Sequence, residues 1–336
     1  MATSKPVTPE RLMQLTWGYA PTLILEAALQ HKIFDLLDQS PKTLPELAGA
    51  TGASPRGLTA ILNALVSFQF LARSGERYSL TEESSAFLVS SKPTYHGALL
   101  KHMSTQLIPK WLQLSEVVRT GKPAAAVNKG HESAEFFAGF VESLFPLSYP
   151  AVRQLGEHLG VSKATSQFNV LDIAAGSGVW GIALAEQSPK VRLTAVDWPA
   201  VLEVTTKVAK QHGVADRLQG IPGDLLEVNY GGGYHLATLG HILHSEGRER
   251  SRKLLRKVFA ALAPGGTIAI AEFIPNDDRT GPPNALIFAV NMLVNTEAGD
   301  TFTVAEMSEW LREAGFTNPR TLEVNAPSPL LLANKP

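Results

Sequence analysis

Apolar positions change their rhythm once along this chain. Leu12, Leu15, Tyr19, Leu23 and Ala27 recur at helical spacing, with Pro21 expected to kink or break the run. Thr43 to Gly49 predicts a short helix that Gly52 stops. Ser54 then caps a second helix with Pro55 in its first turn and Leu58, Leu62, Leu65 and Phe68 on one face. Two short strands are expected around Ser74-Gly75, which completes a helix-turn-helix with a wing. Residues 95–165 continue as helices. Their aromatic residues Trp111, Phe136, Phe137, Phe140 and Phe145 suit a core, with some of them lining an aromatic pocket. From Phe168 onward the runs shorten: FNVLDIAAGSG, VRLTAVDW, YHLATLGHIL and GGTIAIAEFI alternate with helical stretches, and LLLANKP reads as a final strand. That alternation predicts a parallel α/β sheet. The domain division expected is 1–165, mainly helical and winged-helix-like, and 166–336, the sheet domain, its boundary near residue 165.

Composition sharpens this reading. Only 18% of the 336 residues are charged and 44% are apolar, against about 25% charged in an ordinary domain. The uncharged stretches are local: Leu12 to Leu25, Gly57 to Ala72 and Thr280 to Thr296. Gly57 to Ala72 covers the would-be recognition helix. A helix that reads DNA depends on Lys and Arg for phosphate contacts, so a dimer contact is expected and nucleic acid is not. The net charge of −1 agrees. No cysteine is present, which excludes disulfides, a thiolate metal site and a cysteine nucleophile. The first residues show no signal-peptide pattern, and apolar runs such as Ala285 to Val290 fall far short of the roughly 20 residues of a membrane span. A soluble, cytoplasmic protein without a membrane partner is expected.

The first strand of the sheet ends in Asp172-Ile173 and runs into Ala174-Ala175-Gly176-Ser177-Gly178-Val179-Trp180-Gly181. Gly176, Gly178 and Gly181 spell G-x-G-x-x-G, and Asp197 ends the next strand, about 20 residues on. By itself the motif fits a nicotinamide dinucleotide or S-adenosylmethionine. Asp172, four residues before the first glycine, would repel a pyrophosphate and can meet an ammonium group, directly or through water. Gly223-Asp224-Leu225 offers a second acidic loop, able to accept from an adenine amino group. The glycines admit the methionine part and place helix N–H groups near its carboxylate.

With LDIAAGSG, AVDWP, GDLLE, GHILHSE, LAPGGTIAIAEF and GDTFTVAEMSEWLREAGF in that order, the chain resembles the class I S-adenosylmethionine-dependent O-methyltransferases with an N-terminal winged-helix dimerisation domain. These are the plant caffeate and flavonoid enzymes and their bacterial polyketide relatives. The resemblance covers nearly the whole chain. It implies a Rossmann-like methyltransferase sheet, a homodimer, and S-adenosylmethionine leaving as S-adenosylhomocysteine. It places Asp197 on the ribose diol, Asp224 and Leu225 beside the adenine, and Trp198 in the adenine wall.

Methyl transfer from a sulfonium needs an aligned acceptor and a place for one proton. A phenol titrates near pH 10, so a base poised around neutrality helps, and histidine suits. Of nine histidines, His241 and His244 lie just past the fourth strand, at the carboxyl edge of the sheet. The family's base is the histidine of an L-H-D-W segment, which matches Leu243-His244-Ser245-Glu246; Glu272 matches a carboxylate that orients it. Ser245 and Glu246 replace the family's aspartate and tryptophan. The plant enzymes' second glutamate falls near Thr301, with Asp300 or Glu297 as substitutes. His241 and His244 could also suggest a metal, but with no clear third ligand none is expected. In Thr280 to Thr296, Phe288, Met292 and Asn295 share a helical side, and Asn291 and Met292 match the family's substrate helix. Trp111, Met103 and Phe137 are candidates for the opposite wall. The activity expected is O-methylation of a small aromatic or phenolic substrate in specialised metabolism. N-, C- or S-methylation or a non-methylating relative is an alternative, and an NAD(P)-dependent oxidoreductase or a ligand-sensing regulator is a more distant one.

Overall fold

The computed structural model describes residues 7–126 and 140–336. They form two compact units, Met1–Pro109 and Lys110–Pro336. Residues 110–165, grouped above with the N-terminal domain, lie in the second unit. A helix at Phe145–His158 explains why: its Phe145, Val152 and Leu155 bury among side chains of the large sheet.

The first unit holds helices α1 (Glu10–Thr16), α2 (Ala20–Gln30) and α3 (Ile33–Gln39), then strand β1 (Lys42–Thr43), α4 (Leu44–Thr51) and α5 (Pro55–Ser67). Strands β2 (Leu71–Ser74) and β3 (Arg77–Leu80) follow, then α6 (Glu82–Phe87), α7 (Gly97–His102) and a π-helical turn, Met103–Leu107. Helix α8 (Ile108–Trp111) comes next in the chain. Pro21 is the second residue of α2, so the break falls ahead of it, at 17–19. Thr43 and Glu46 form a capping box at the start of α4, and Gly52 ends that helix in the left-handed region. Ser54 caps α5 by accepting from the Gly57 amide at 3.1 Å. Leu58, Leu62 and Leu65 of α5 bury against Ile33, Phe34, Leu47 and Leu71. The three strands pair antiparallel in the order β1-β3-β2, so helix-turn-helix and wing are both present. By contrast α1 buries nothing; Leu12 is 65% and Leu15 71% exposed. An apolar helix left uncovered within one chain marks a surface for association.

In the second unit α9 (Leu114–Thr120) and α10 (Phe145–His158) precede the alternation of β4 (Phe168–Ile173), α11 (Val179–Ala185), β5 (Val191–Asp197), α12 (Pro199–Gln211), β6 (Leu218–Pro222), β7 (Tyr234–Gly240), α13 (Leu243–Ala261) and β8 (Leu262–Ala271). Then come α14 (Pro283–Asn295), α15 (Val304–Glu313), β9 (Thr317–Leu322) and β10 (Leu330–Asn334). The sheet order is β6-β5-β4-β7-β8-β10-β9. The first five strands run parallel, and β10 pairs antiparallel with both β8 and β9. Alternate strand residues enter opposite cores. Leu171, Leu239 and Ile270 bury with Leu254, Val258 and Trp310, while Val170, Leu236 and Ala269 bury with Val152, Ile182 and Leu184. Both faces are covered, as continuous apolar strands require. Strand β9 was not foreseen. Its polar TNPRTL, with Pro319 inside, is tolerated because it is an edge strand. Among the described residues no helix is long and apolar enough to cross a membrane.

Candidate active site

The carboxyl ends of β4, β5, β6, β7 and β8 bring the predicted polar residues to one edge, the usual ligand side of such sheets. Asp172, inside β4, is fully buried. Its carboxylate accepts from the Gly181 amide at 3.0 Å and the Thr238 hydroxyl at 2.8 Å. Burial outweighs both bonds, and with Asp197 nearby it pushes the carboxyl up to about 7. Asp197, at the end of β5, accepts from the Gly176 amide at 2.9 Å and the Trp198 amide at 2.7 Å. Burial pushes it up to about 6. The two acids therefore brace the glycine loop from both sides, and the Thr205 hydroxyl holds the Gly176 carbonyl at 2.7 Å. Gly178 has φ 79° and is the N-cap residue just ahead of α11; a Cβ there would stand 2.8 Å from a Thr205 methyl, so no larger residue fits without displacement.

Asp224 follows β6. Its Oδ1 accepts from the Leu226 amide at 2.8 Å, and both oxygens accept from Arg250 Nη2 at 3.1 Å. Arg250 Nε also donates to Glu246 at 2.5 Å. An adenine amino group at Asp224 would share that carboxylate with Arg250. Arg250 was missed in the sequence, although Glu246 and Arg250 stand four apart on α13 and that spacing pairs charges. Leu225 is buried, its carbonyl taken by Tyr230 and Lys257. Trp198 is half-buried just ahead of α12.

His244 lies in the first turn of α13, and Glu272 directly follows β8. Residues 28 apart in sequence meet here: His244 Nδ1 is 2.8 Å from Glu272 Oε2, and the His244 amide donates to Oε1 at 3.1 Å. The side chains are 11% and 2% exposed. Burial pushes Glu272 up, but His244, by charge and by hydrogen bonds, outweighs it and holds the carboxyl below its ordinary range. An ionised carboxylate only accepts, so Nδ1–H donates to Glu272, and in the neutral ring this leaves Nε2 as the acceptor. Phe288 meets the His244 ring edge-on at 4.8 Å and stacks on Phe273 at 3.9 Å. A nitrogen of His241, one of His244 and an oxygen of Glu272 lie within 4.8 Å of one another. Glu272 thus supplies the third side chain that a metal reading lacked in sequence, but both its oxygens accept from His244.

The loop after α14 meets His244 through backbone. The Asp300 amide donates to the His244 carbonyl at 2.9 Å, and a Cβ on Gly299 would stand 2.5 Å from that oxygen. The Asp300 carboxylate accepts from the Thr301 amide at 2.7 Å and lies 3.8 Å from Arg279. On α14, Asn291 Oδ1 accepts from Trp111 Nε1 at 2.9 Å and from Asn295 Nδ2 at 3.0 Å. Met292 and Asn295 are buried. Asn291 therefore spends its carbonyl oxygen inside the protein. Met103 lies in the π-helical turn of the first unit, and Phe137 lies outside the described residues.

Comparison with known proteins agrees with this architecture. Residues 111–317 match the O-methyltransferase domain, and residues 13–90 match the O-methyltransferase dimerisation domain. A 3-hydroxy-5-methyl-1-naphthoate 3-O-methyltransferase of Streptomyces sahachiroi is 30% identical, over 95% of this chain and 92% of the relative. The structure of PigF, a methyl transferase of Serratia sp., with S-adenosylhomocysteine is similar at a TM-score of 0.86 and 26% identity, covering 98% of this chain and 100% of that one. Human N-acetylserotonin methyltransferase with S-adenosylmethionine is similar at 0.84 and 25% identity, covering 100% and 99%. Domain matches and similarity over nearly the full length lead to one assignment: the chain belongs to the O-methyltransferase family.

Proposed function

We propose that this enzyme moves the methyl group of S-adenosylmethionine to an aromatic hydroxyl of a small molecule, with His244 as general base. The observation that carries the reading is the His244–Glu272 pair beside the stacked rings of Phe273 and Phe288. An imidazole fixed in one tautomer among aromatic rings suits a phenol. The hydroxynaphthoate named for the Streptomyces relative has such a hydroxyl.

The enzyme is S-adenosylmethionine-dependent, and its residues fit that cofactor. The donor set at the glycine loop is acidic: Asp172 and Asp197 brace it, and residues 174–181 contain no lysine or arginine that would pair with a pyrophosphate. When bound, the cofactor supplies an electrophilic methyl group and a neutral thioether as leaving group. Asp197 binds the ribose hydroxyls, Trp198 and Leu225 flank the adenine, and Asp224 accepts from its amino group beside Arg250. Asp172 fixes the loop through Gly181 and adds negative charge near the ammonium and sulfonium. His244 Nε2 takes the phenolic proton as the oxygen forms its bond to the methyl carbon and the carbon–sulfur bond breaks. Glu272 holds the ring in place and stabilises the imidazolium. Met292 and Trp111 line the acceptor side, and Asn295 supports Asn291 from behind.

The exposed apolar face of α1 and the dimerisation domain support a homodimer, whose mass light scattering reads directly. Incubation with S-adenosylmethionine and a panel of catechols, flavonoids and polyketide phenols tests the activity. A mass gain of one methyl group on oxygen is expected. Methylation of amines or thiols alone would overturn the phenol reading.

A further inference from the structure

Beside the base stands a second imidazole to which the mechanism above gives no task. His241 follows β7 with φ 62°, in the left-handed region that few side chains adopt. Its amide donates to the Ala271 carbonyl at 2.9 Å, which fixes this conformation to the end of β8. Its ring packs on Phe273 at 5.0 Å and lies 6.5 Å from the His244 ring, centre to centre. Nδ1 of His241 is buried and has no hydrogen-bond partner among the described residues, whereas Nε2 is not sealed in this way.

The tautomer follows. A buried N–H without an acceptor costs more than a buried lone pair, so the proton belongs on Nε2. Burial, the largest influence on this ring, holds its pKa below the ordinary histidine value despite the nearby Glu272. The imidazole is therefore neutral and offers one N–H donor. His244 is its complement, because its Nδ1–H donates to Glu272 and leaves Nε2 as an acceptor. One acceptor and one donor thus sit on neighbouring rings whose centres are 6.5 Å apart.

We infer that His241 is a specificity-determining residue that donates a hydrogen bond to a second oxygen of the acceptor, so that the favoured substrates are aromatic hydroxyls with a carbonyl or carboxylate oxygen on a neighbouring position. The inference rests on the phenol reading above. A simple phenol satisfies His244 alone and leaves the His241 N–H without a partner once water is expelled, and such a group counts against binding. A hydroxyl flanked by a carbonyl satisfies both rings and is held in one orientation, with the reacting oxygen on His244.

Two isomers of similar size test this. In 2-hydroxyacetophenone the carbonyl is next to the hydroxyl; in 4-hydroxyacetophenone it is across the ring. The ratio of their kcat/KM values, measured in wild type and variants, cancels their intrinsic reactivities. In His241→Leu the ratio of 2- to 4-isomer is expected to fall about three- to tenfold, the worth of one neutral hydrogen bond. His241→Asn keeps a donor and tolerates the left-handed backbone, and should recover at least part of the ratio. Calorimetric affinities for the two ketones, with S-adenosylhomocysteine bound, should follow the same order. A purely structural role for His241 would lower both isomers alike, and an unchanged ratio in His241→Leu overturns the inference. If wild type methylates phenols without regard to the neighbouring carbonyl, only this inference falls. If it methylates no phenol, the phenol reading falls with it.

Discussion

Asp172 and Glu272 are both carboxylates sealed from water along one sheet edge, yet their protons behave oppositely. Asp172 receives an amide and a hydroxyl and is pushed up to about 7. Glu272 receives an amide and an imidazole and is held below its ordinary range. Burial acts upward on both. Neutral donors do not offset it, whereas a partner that can carry charge does. The proposed cofactor end therefore carries acids poised to ionise when a cationic ligand arrives, and the acceptor end carries a standing anion matched to its own histidine.

Four substitutions probe that contrast. The largest effect is expected from His244→Ala, which should lower kcat by about 10²- to 10⁴-fold with S-adenosylmethionine affinity by calorimetry within about threefold. Near-normal turnover at saturating acceptor would show that alignment alone suffices. Glu272→Gln is next, at about a hundredfold in kcat, because an amide can present N–H to Nδ1 and favour the wrong tautomer. Wild-type rates in that variant would reduce Glu272 to packing.

The third concerns pH. Asp172 in the unliganded native state keeps its proton where the unfolded chain has lost it, so its contribution to stability is complete below pH 4. It is lost as pH rises through about 7. Wild type should lose about 2 kcal/mol more than Asp172→Asn between pH 5 and pH 8 in urea unfolding; parallel curves would place the raised carboxyl elsewhere. The smallest effect is expected from Asp197→Asn. A neutral amide still reaches the ribose, so the calorimetric Kd for S-adenosylhomocysteine should weaken about tenfold, and no change would remove Asp197 from the ribose.

Much of this edge was legible in sequence because spacing carries it. Strand ends put Asp172, Asp197, Asp224 and Glu272 on one side, and Gly176 and Gly178 mark the turn between β4 and α11. Whether His244 would reach Glu272 was visible only through family resemblance, since no local pattern joins residues 28 apart. Arg250 escaped because its second partner, Asp224, arrives from another strand end. His241 was seen as a possible ligand, but its left-handed backbone and sealed Nδ1 depend on how β7 ends against β8. The short polar β9 had no apolar pattern to announce it.

The contact between the loop after α14 and the backbone of His244 has a consequence for changing what this enzyme accepts. Helix α14 runs into 296–301, where the Asp300 amide grips the His244 carbonyl and Gly299 leaves room for that oxygen. The helix proposed to shape the pocket and the histidine proposed to move the proton are one mechanical piece. Redesign of acceptor range along α14 should therefore hold 296–301 constant and vary only positions further up the helix. A library that alters the loop changes the alignment of the base together with the shape of the pocket, and its selected variants would trade rate for scope.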